Sequence, residues 1–256
     1  MLLLKLFSRR WWFATLLVIA GTLVLARLGI WQLDRLEQRL AFNAQVTVAR
    51  SQSVLDLNKS QPADTPALAS GASVSAMEWR PVQFTGKYDF ENQIAIRNQY
   101  YGEQYGYHLL TPLLSNGTAV LVDRGWIPAD GNPTPADWRK YDEAREVKVI
   151  GQIRLGLGKP AIGGVADALP ADGSKLTLWN NADVALVAKQ LPYPILPVYI
   201  QVDADEADTE PPIPFQPELE LTEGPHFGYA MQWFTFATLL FVGYPFFVRK
   251  QDADTK

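Results

Sequence analysis

The chain has 256 residues, a formal net charge of −4 and no cysteine. The absence of cysteine excludes disulfides, thiolate metal sites, iron–sulfur clusters and covalently attached c-type haem. Only two histidines are present, so a metal site built from several imidazoles is excluded as well. The small negative charge gives no support for nucleic-acid binding, and we expect no nucleic-acid partner.

An apolar run occupies residues 11–33, in which Arg27 is the only charged residue. As a helix this run is about 35 Å long, which is enough to cross a bilayer. A cleaved signal peptide is the alternative, but the run exceeds a typical signal core and no small-x-small cleavage site follows it. We therefore predict a first transmembrane helix at 11–33, after a basic cytoplasmic N-terminus at 1–10.

A second apolar run, at residues 226–248, carries no formal charge from Phe227 onwards. Two arginine or lysine residues follow it, and acidic residues precede it, so the positive-inside rule places the tail at 249–256 in the cytoplasm. With two spans, both termini then lie in the cytoplasm and the part between them is periplasmic. An N-terminus without transit-peptide character points to a bacterial plasma membrane.

The region between the spans divides by composition. A helical extension is predicted at 34–57, with the first helix running to about Arg50, and a flexible Ser-, Ala-, Pro- and Gly-rich loop at 58–76. A β-rich domain follows at 77–202. The segment at 203–225 has eight acidic residues, five prolines and no lysine or arginine, which is typical of a solvated linker.

Alternating apolar and polar residues predict at least six strands in the domain. The adjacent Asn116 and Gly117 predict a tight hairpin between two of them. Short helices are predicted at 134–145 and at 181–191, the second with Asn181 as its N-cap. The fold class is therefore an α+β membrane protein: two transmembrane helices flank a mostly antiparallel, barrel- or sandwich-like extracytoplasmic domain with one or two helices. The predicted strands are 82–88, 93–98, 105–114, 118–126, 146–157 and 198–202.

His226 is the first candidate functional residue, because it stands at the mouth of the second span. The positive end of the helix dipole disfavours a charged imidazolium there, which leaves a neutral ring able to coordinate a metal. Tyr229 and Trp233 follow on the same helical face, so a porphyrin could lie against them with its iron on His226. The alternative, which these residues alone favour, is an ordinary interfacial aromatic belt.

Two further candidate sites depend on pairs of neighbouring residues. Trp31 and Gln32 end the first span, and Gln232 could hydrogen-bond to Gln32 and clamp the spans together; unrelated interfacial residues are an equal alternative. Asp123, Arg124 and Trp126 could contact a partner protein or a propionate, although a structural salt bridge at a turn is the simpler interpretation. We interpret His108 as an ordinary sheet residue.

No catalytic motif is present in the sequence, so we expect a protein that is not an enzyme. Carboxylates are abundant, but none has a spacing that implies general acid–base chemistry.

Four segments carry a resemblance to a known family: LGIWQLDRL at 28–36, RPV at 80–82 with GKYD at 86–89, LVDRGWIP at 121–128, and GPHFGYAMQWF at 224–234. They resemble the surfeit locus family of cytochrome c oxidase assembly factors. The resemblance implies a non-enzymatic factor that helps haem a to reach, or be stabilised in, the oxidase catalytic subunit, with haem-synthesis or assembly proteins as further partners. It also implies that His226 is the haem-iron ligand. Tyr229, Trp233, Trp31 and Gln32 are the other candidate cofactor-binding residues. A cofactor-free scaffold that holds oxidase subunits together remains the alternative.

Overall fold

The computed structural model describes residues 6–59, 74–143, 146–156, 158, 164–205, 208–215 and 219–254. The chain forms two compact units. One unit combines the residues up to Gln45 with those from Leu219 onwards, and the other is Val46–Glu218.

The first unit consists mainly of two long helices, α1 (Trp12–Arg50) and α4 (His226–Asp254). Both are long and apolar enough to cross a membrane, and most of their apolar surface is exposed. Apolar surface of this extent is unfavourable in water and suits contact with lipid chains. The two-span prediction is therefore confirmed at the level of the fold. The exposed side chains include Phe13, Leu16, Leu17, Leu23, Phe236, Leu239 and Phe241.

The two helices of this unit pack antiparallel through small residues and one polar contact. A Cβ added at Gly29 of α1 would lie 2.6 Å from Cε1 of Phe234 in α4, so a larger residue there would force the Phe234 ring to move. Helices surrounded by lipid gain nothing from the hydrophobic effect when they associate, so they rely on close packing at small residues such as glycine. Farther along the pair, the hydroxyls of Thr15 and Tyr244 hydrogen-bond at 2.9 Å.

The second unit is an eight-stranded sheet that curls into a barrel. The strand order is β1-β2-β6-β8-β5-β4-β3-β7, and β2 also pairs with β4, so β2, β6, β8, β5 and β4 form a closed ring. The β5–β8 pair is parallel, and the other pairs within the ring are antiparallel. The strands are β1 (Leu55–Asp56), β2 (Pro81–Tyr88), β3 (Ile94–Tyr101), β4 (Gln104–Ser115), β5 (Thr118–Pro128), β6 (Glu146–Arg154), β7 (Leu178–Trp179) and β8 (Ile195–Val202).

Burial along the strands explains why this sequence forms a barrel. In β2 the buried positions alternate with the more exposed ones, as expected for a strand with one face on the core. In β5 every residue from Ala119 to Ile127 is buried, because this strand lies between two apolar clusters. Val120 and Val122 face the cluster inside the ring, whereas Leu121 packs in a second cluster beside Trp179.

The β4–β5 hairpin turns at Asn116 and Gly117, as the sequence predicts. Both residues have positive φ, 47° and 79°, which a two-residue turn of the I′ type requires. Ser115 and Thr118 pair directly across the turn.

The short helices differ from the prediction. Instead of one helix at 181–191, α3 is Val184–Val187 and a 3₁₀ turn, Ala188–Gln190, follows it. Asp183 is the N-cap, accepting from the Leu186 amide, because the Asn181 backbone and side chain are engaged by the carboxylate of Asp167. In place of a helix at 134–145 there is α2 (Pro135–Trp138) and a 3₁₀ turn, Arg139–Tyr141.

The segments predicted as extension, loop and linker also contain ordered structure. The helix α1 ends at Arg50, where expected, but the extension predicted to 57 includes strand β1 instead of more helix. Residues 60–73 of the loop lie outside the described part, whereas Val74 is buried in the core. The acidic segment is not wholly a solvated linker, because Ile213 forms an antiparallel bridge with Trp126 and is buried.

Candidate functional site

The packing of the two long helices brings His226 to Gln32. Phe234 of α4 lies against Gly29 of α1, and because the two helices are antiparallel, the start of α4 lies beside the part of α1 that follows Gly29. There the Nδ1 atom of His226 lies 2.9 Å from the Oε1 atom of Gln32. Two residues that are 194 positions apart in sequence are therefore in direct contact.

This contact determines which nitrogen of the His226 ring is available. The Gln32 Oε1 atom is an acceptor, so Nδ1 carries the proton and donates, and Nε2 holds the lone pair. No described residue hydrogen-bonds to Nε2. Gly224 lies next to it with a φ of +70°, and a Cβ at that position would lie 3.6 Å from Nε2. The glycine therefore keeps space open beside the unprotonated nitrogen.

The space beside His226 is part of a cleft of about 490 Å³, within the usual range for small-molecule sites. The segment that precedes α4 forms one wall, and α1 forms the other. Arg39 holds the walls together by donating to the carbonyl oxygens of Thr222, at 3.1 Å, and Glu220. The lining residues are Arg35, Gln38, Arg39, Phe42, Glu220, Thr222, Gly224 and His226.

The donor set fits haem iron better than a bare metal ion. Among the described residues there is no group of three or more His, Cys, Asp or Glu side chains that could hold a metal. A single imidazole is nevertheless sufficient for haem, because the porphyrin supplies the equatorial ligands and the protein needs to supply only an axial one. His226, with Nε2 unprotonated and facing open space, meets that requirement.

The predicted aromatic residues do not line this cleft. Trp31 and Tyr229 are each 46% exposed, and Trp233 packs edge-to-face on Phe236 with ring centroids 6.3 Å apart. The cleft lies instead beside the charged part of α1. The predicted Gln32–Gln232 clamp is wrong, because Gln32 bonds to His226 and Gln232 is exposed.

The structure places Asp123, Arg124 and Trp126 inside the barrel domain, in the middle of β5. All three are buried, with relative exposures of 7%, 4% and 2% respectively, so a partner could reach them only if the domain opened. The interpretation as a salt bridge at a turn is also wrong. Arg124 forms its ion pair with Glu143, and Asp123 binds His108.

Arg124 is the centre of a buried polar cluster. Its Nε atom donates to Glu143 at 3.0 Å, its Nη1 to Gln93 at 2.9 Å, and its Nη2 to the carbonyl of Tyr141. The guanidinium also lies over the rings of Tyr88 and Phe90, 5.2 and 5.1 Å from their centroids. This cation therefore joins several elements of the domain.

His108 is more than an ordinary sheet residue. Its Nδ1 atom lies 3.0 Å from both carboxylate oxygens of Asp123, and both side chains are buried. Burial disfavours the imidazolium, but the charge of Asp123 and its hydrogen bond outweigh that effect and raise the pKa of His108 above its usual value of 6.5. Asp123 also accepts from the Gly125 amide at 3.1 Å.

Comparison with known proteins identifies the family. A sequence model of the SURF1 family matches residues 19–238, which is most of the chain. The chain belongs to the SURF1 family. Its relatives include a SURF1-like protein of Rickettsia bellii, 25% identical over 240 residues, which cover 91% of this chain and 90% of the relative. A SURF1-like protein of Rickettsia conorii is 25% identical over 243 residues, covering 93% and 92% of the two chains.

Membership of the SURF1 family is consistent with a role in the assembly of cytochrome c oxidase. The matched region includes the cleft residues as well as the β5 cluster. The two helices that could cross a membrane are consistent with a membrane protein.

Several residues of the site in this SURF1-family chain were not singled out by sequence reasoning. Arg35 and Arg39 lie in the predicted helical extension at 34–57 and Gly224 lies in the GPHFGYAMQWF segment, and neither pattern predicts a role for them in a site. All three residues line the cleft, and the cleft exists only because the segment at 219–225 folds against α1. The one available signal was the spacing of Arg35 and Arg39, which places both on the helical face of Gln32.

The His108–Asp123 pair predicts that the domain of this SURF1-family protein loses stability as the pH rises above 6.5. His108 binds its proton more tightly when folded than when unfolded, so protonation stabilises the fold. This contribution is complete below 6.5 and is lost as the pH rises through the raised pKa. We expect the Tm of the detergent-solubilised chain to fall as the pH rises from 6.5 through the raised pKa of His108.

The matched variant is His108→Gln, which should flatten this dependence. Tyr199, the nearby phenol, does not contribute in this range, because burial and then the charge of Asp123 raise its pKa to about 12. Equal pH slopes in the two proteins would show that the pair does not control stability.

Proposed function

We propose that this protein assists the delivery of haem a to cytochrome c oxidase, or its stabilisation in the catalytic subunit. Family membership supports the oxidase-assembly part of this proposal. The observation that supports the haem part is the hydrogen bond between His226 Nδ1 and Gln32 Oε1. It leaves the lone pair of Nε2 beside the cleft, where it could ligate iron.

Each residue of the site has a separate task in this proposal. Gln32 fixes the tautomer and orientation of the His226 ring, as outer hydrogen-bond partners do for metal-ligating histidines. His226 provides one axial nitrogen, and Gly224 leaves room beside it. Haem, when bound, supplies an iron whose equatorial positions are already filled by the porphyrin. Attachment through one side chain in an open cleft suits transfer to another protein.

The proposed topology places both termini in the cytoplasm and the barrel domain in the periplasm of a bacterial plasma membrane. Arg249 and Lys250 follow the second apolar stretch, whereas Glu220 and Glu223 precede it, in agreement with the positive-inside rule. The relatives from Rickettsia support a bacterial setting. The proposed partners are the oxidase catalytic subunit, haem-synthesis or assembly proteins, and lipid, and the proposed role is not enzymatic.

His226→Ala is expected to abolish haem binding. The full chain, purified in detergent from cells that make haem a, should show the Soret and α bands of the cofactor, and these bands should fall to background in the variant because no other described nitrogen ligand faces the cleft. Haem content per protein, from absorbance and pyridine haemochrome assay, is the measurement.

A graded pair of variants controls for unfolding. Gln32→Leu should weaken haem affinity about 10–100-fold, as is usual for the partner of a ligating histidine. Gln232→Leu makes the same change at an exposed position of α4 and should have no effect. A wild-type protein that carries no haem but co-purifies with oxidase subunits would instead support the cofactor-free scaffold.

A further inference from the structure

Two arginines lie in the cleft on the same face of α1 as Gln32. Arg35 and Arg39 follow Gln32 at three and seven residues, so they lie about 4.5 and about 10.5 Å farther along the helix axis. Both line the cleft together with His226. A planar ligand bound to His226 and extending along this wall would meet the arginines at the side remote from Gly29.

Neither arginine forms an ion pair with any described carboxylate. Arg35 donates only to the amide oxygen of Gln38, at 3.1 Å, and Arg39 donates to two backbone carbonyls. Arg27, on the same helix but outside the cleft, lies 3.7 Å from Asp34. Glu220 is the one acidic residue of the lining, so the lining has a net positive charge if His226 is neutral.

The guanidinium groups are also partly pre-oriented. Arg39 lies over the ring of Phe42, 5.7 Å from its centroid, and its Nε and Nη2 bonds to the opposite wall fix its plane. The Nη1 group of Arg39 and the Nε and Nη2 groups of Arg35 have no hydrogen-bond partner among the described residues. A guanidinium binds a carboxylate through two parallel hydrogen bonds, so a fixed plane favours carboxylate ligands in one orientation.

We propose that Arg35 and Arg39 bind the two propionate carboxylates of the haem whose iron His226 ligates. This inference depends on the proposed function, because it assigns the second half of the same site. If the assignment is right, tight binding of haem requires free propionate carboxylates as well as the iron.

The test compares two porphyrins on the detergent-solubilised full chain. Ferric protoporphyrin IX and its dimethyl ester differ only in whether the propionates are charged, and both are titrated by the Soret band. The wild type is expected to bind the acid about tenfold more tightly than the ester, or better, because charge-assisted hydrogen bonds are lost in the ester. The double variant Arg35→Met/Arg39→Met should bind the two porphyrins equally, at the wild-type affinity for the ester.

Three variants guard against indirect effects. Arg35→Met alone should reduce the preference without loosening the cleft, since Gln38 is the one described residue to which Arg35 donates a hydrogen bond. Arg39→Lys keeps the charge and should retain part of the preference. Arg27→Met removes an arginine of the same helix that does not line the cleft, and it should leave both affinities unchanged.

The outcomes separate the two proposals. If the wild type binds acid and ester equally and His226→Ala abolishes both, the arginine assignment is overturned while the iron ligand stands. A preference for the acid that survives the double variant also overturns it. If the wild type binds neither porphyrin, the proposed haem function itself is refuted, and this inference with it.

Discussion

Gly125→Ala is expected to destabilise the barrel domain by about 3–5 kcal/mol. Gly125 has a φ of +122°, a conformation that L side chains rarely adopt. A Cβ there would also overlap the carbonyl group of Ile213 and lie 2.6 Å from the nitrogen of Pro214. These are backbone atoms, so the contact is relieved only if the segment around Ile213 moves away from β5.

That movement would break the two hydrogen bonds of the bridge, Trp126 N–H to Ile213 at 2.7 Å and Ile213 N–H to Trp126 at 2.9 Å. We expect the Tm of the detergent-solubilised chain to fall by roughly 6–20 °C. Gly131→Ala is the matched control, because Gly131 has a φ of +70° and nothing lies within 4 Å of its added Cβ. It should cost only about 1–2 kcal/mol. Equal losses in the two variants would contradict the role given to the bridge.

Arg124→Ala is the second change for which we expect a large effect, a loss of about 3–5 kcal/mol in the free energy of unfolding. The variant leaves the buried amide oxygen of Gln93 and the carbonyl of Tyr141 without their charged donor. It also removes the cation that lies over Tyr88 and Phe90. Glu143 is half-exposed, so its charge can return to water, which places the loss toward the lower end of the range.

The measurement is the urea midpoint of the full chain, followed by tryptophan fluorescence. Arg139→Ala is the control. Arg139, like Arg124, forms ion pairs, in its case with Glu91 and Asp142, but its side chain is 42% exposed. An exposed pair of this kind is worth at most about 1 kcal/mol. Arg124→Lys should recover only part of the loss, because an ammonium cannot reach the same acceptors in one plane. If the two alanine variants were equally stable, burial of Arg124 would not be the cause.

The parts of the fold that were predictable are those with a local signal. Long apolar runs predict α1 and α4 because a bilayer sets their length. Alternation predicts β2, and Asn116 with Gly117 predicts the hairpin, because both depend on neighbouring residues. The two-residue strands β1 and β7 have no periodicity to detect. The N-cap of α3 was misassigned because Asp167, a distant residue, competes for Asn181.

Closure of the sheet and the composition of the cleft depend on contacts between distant segments. The pairing of β2 with β4 is a register that no local pattern encodes. The bridge at Ile213 was hidden by the acidic, proline-rich composition around it. For the site, the sequence identified Gln32 and His226 as candidates but assigned Gln32 the wrong partner. The residues of α1 line a cleft only because the carbonyl oxygens of Thr222 and Glu220, on the opposite wall, accept hydrogen bonds from Arg39.

The barrel is completed by a very short join: Lys87 pairs with Leu114, and Tyr88 with Leu113. The neighbouring β2–β6 pairing extends over seven residue pairs, so the circle is weakest at this corner. Arg124 lies over the Tyr88 ring at the same place, so this buried cation stabilises the short β2–β4 pairing. Local opening of the barrel should therefore begin at the β2–β4 pairing. Amide hydrogens of this pairing should exchange with solvent before those elsewhere in the ring.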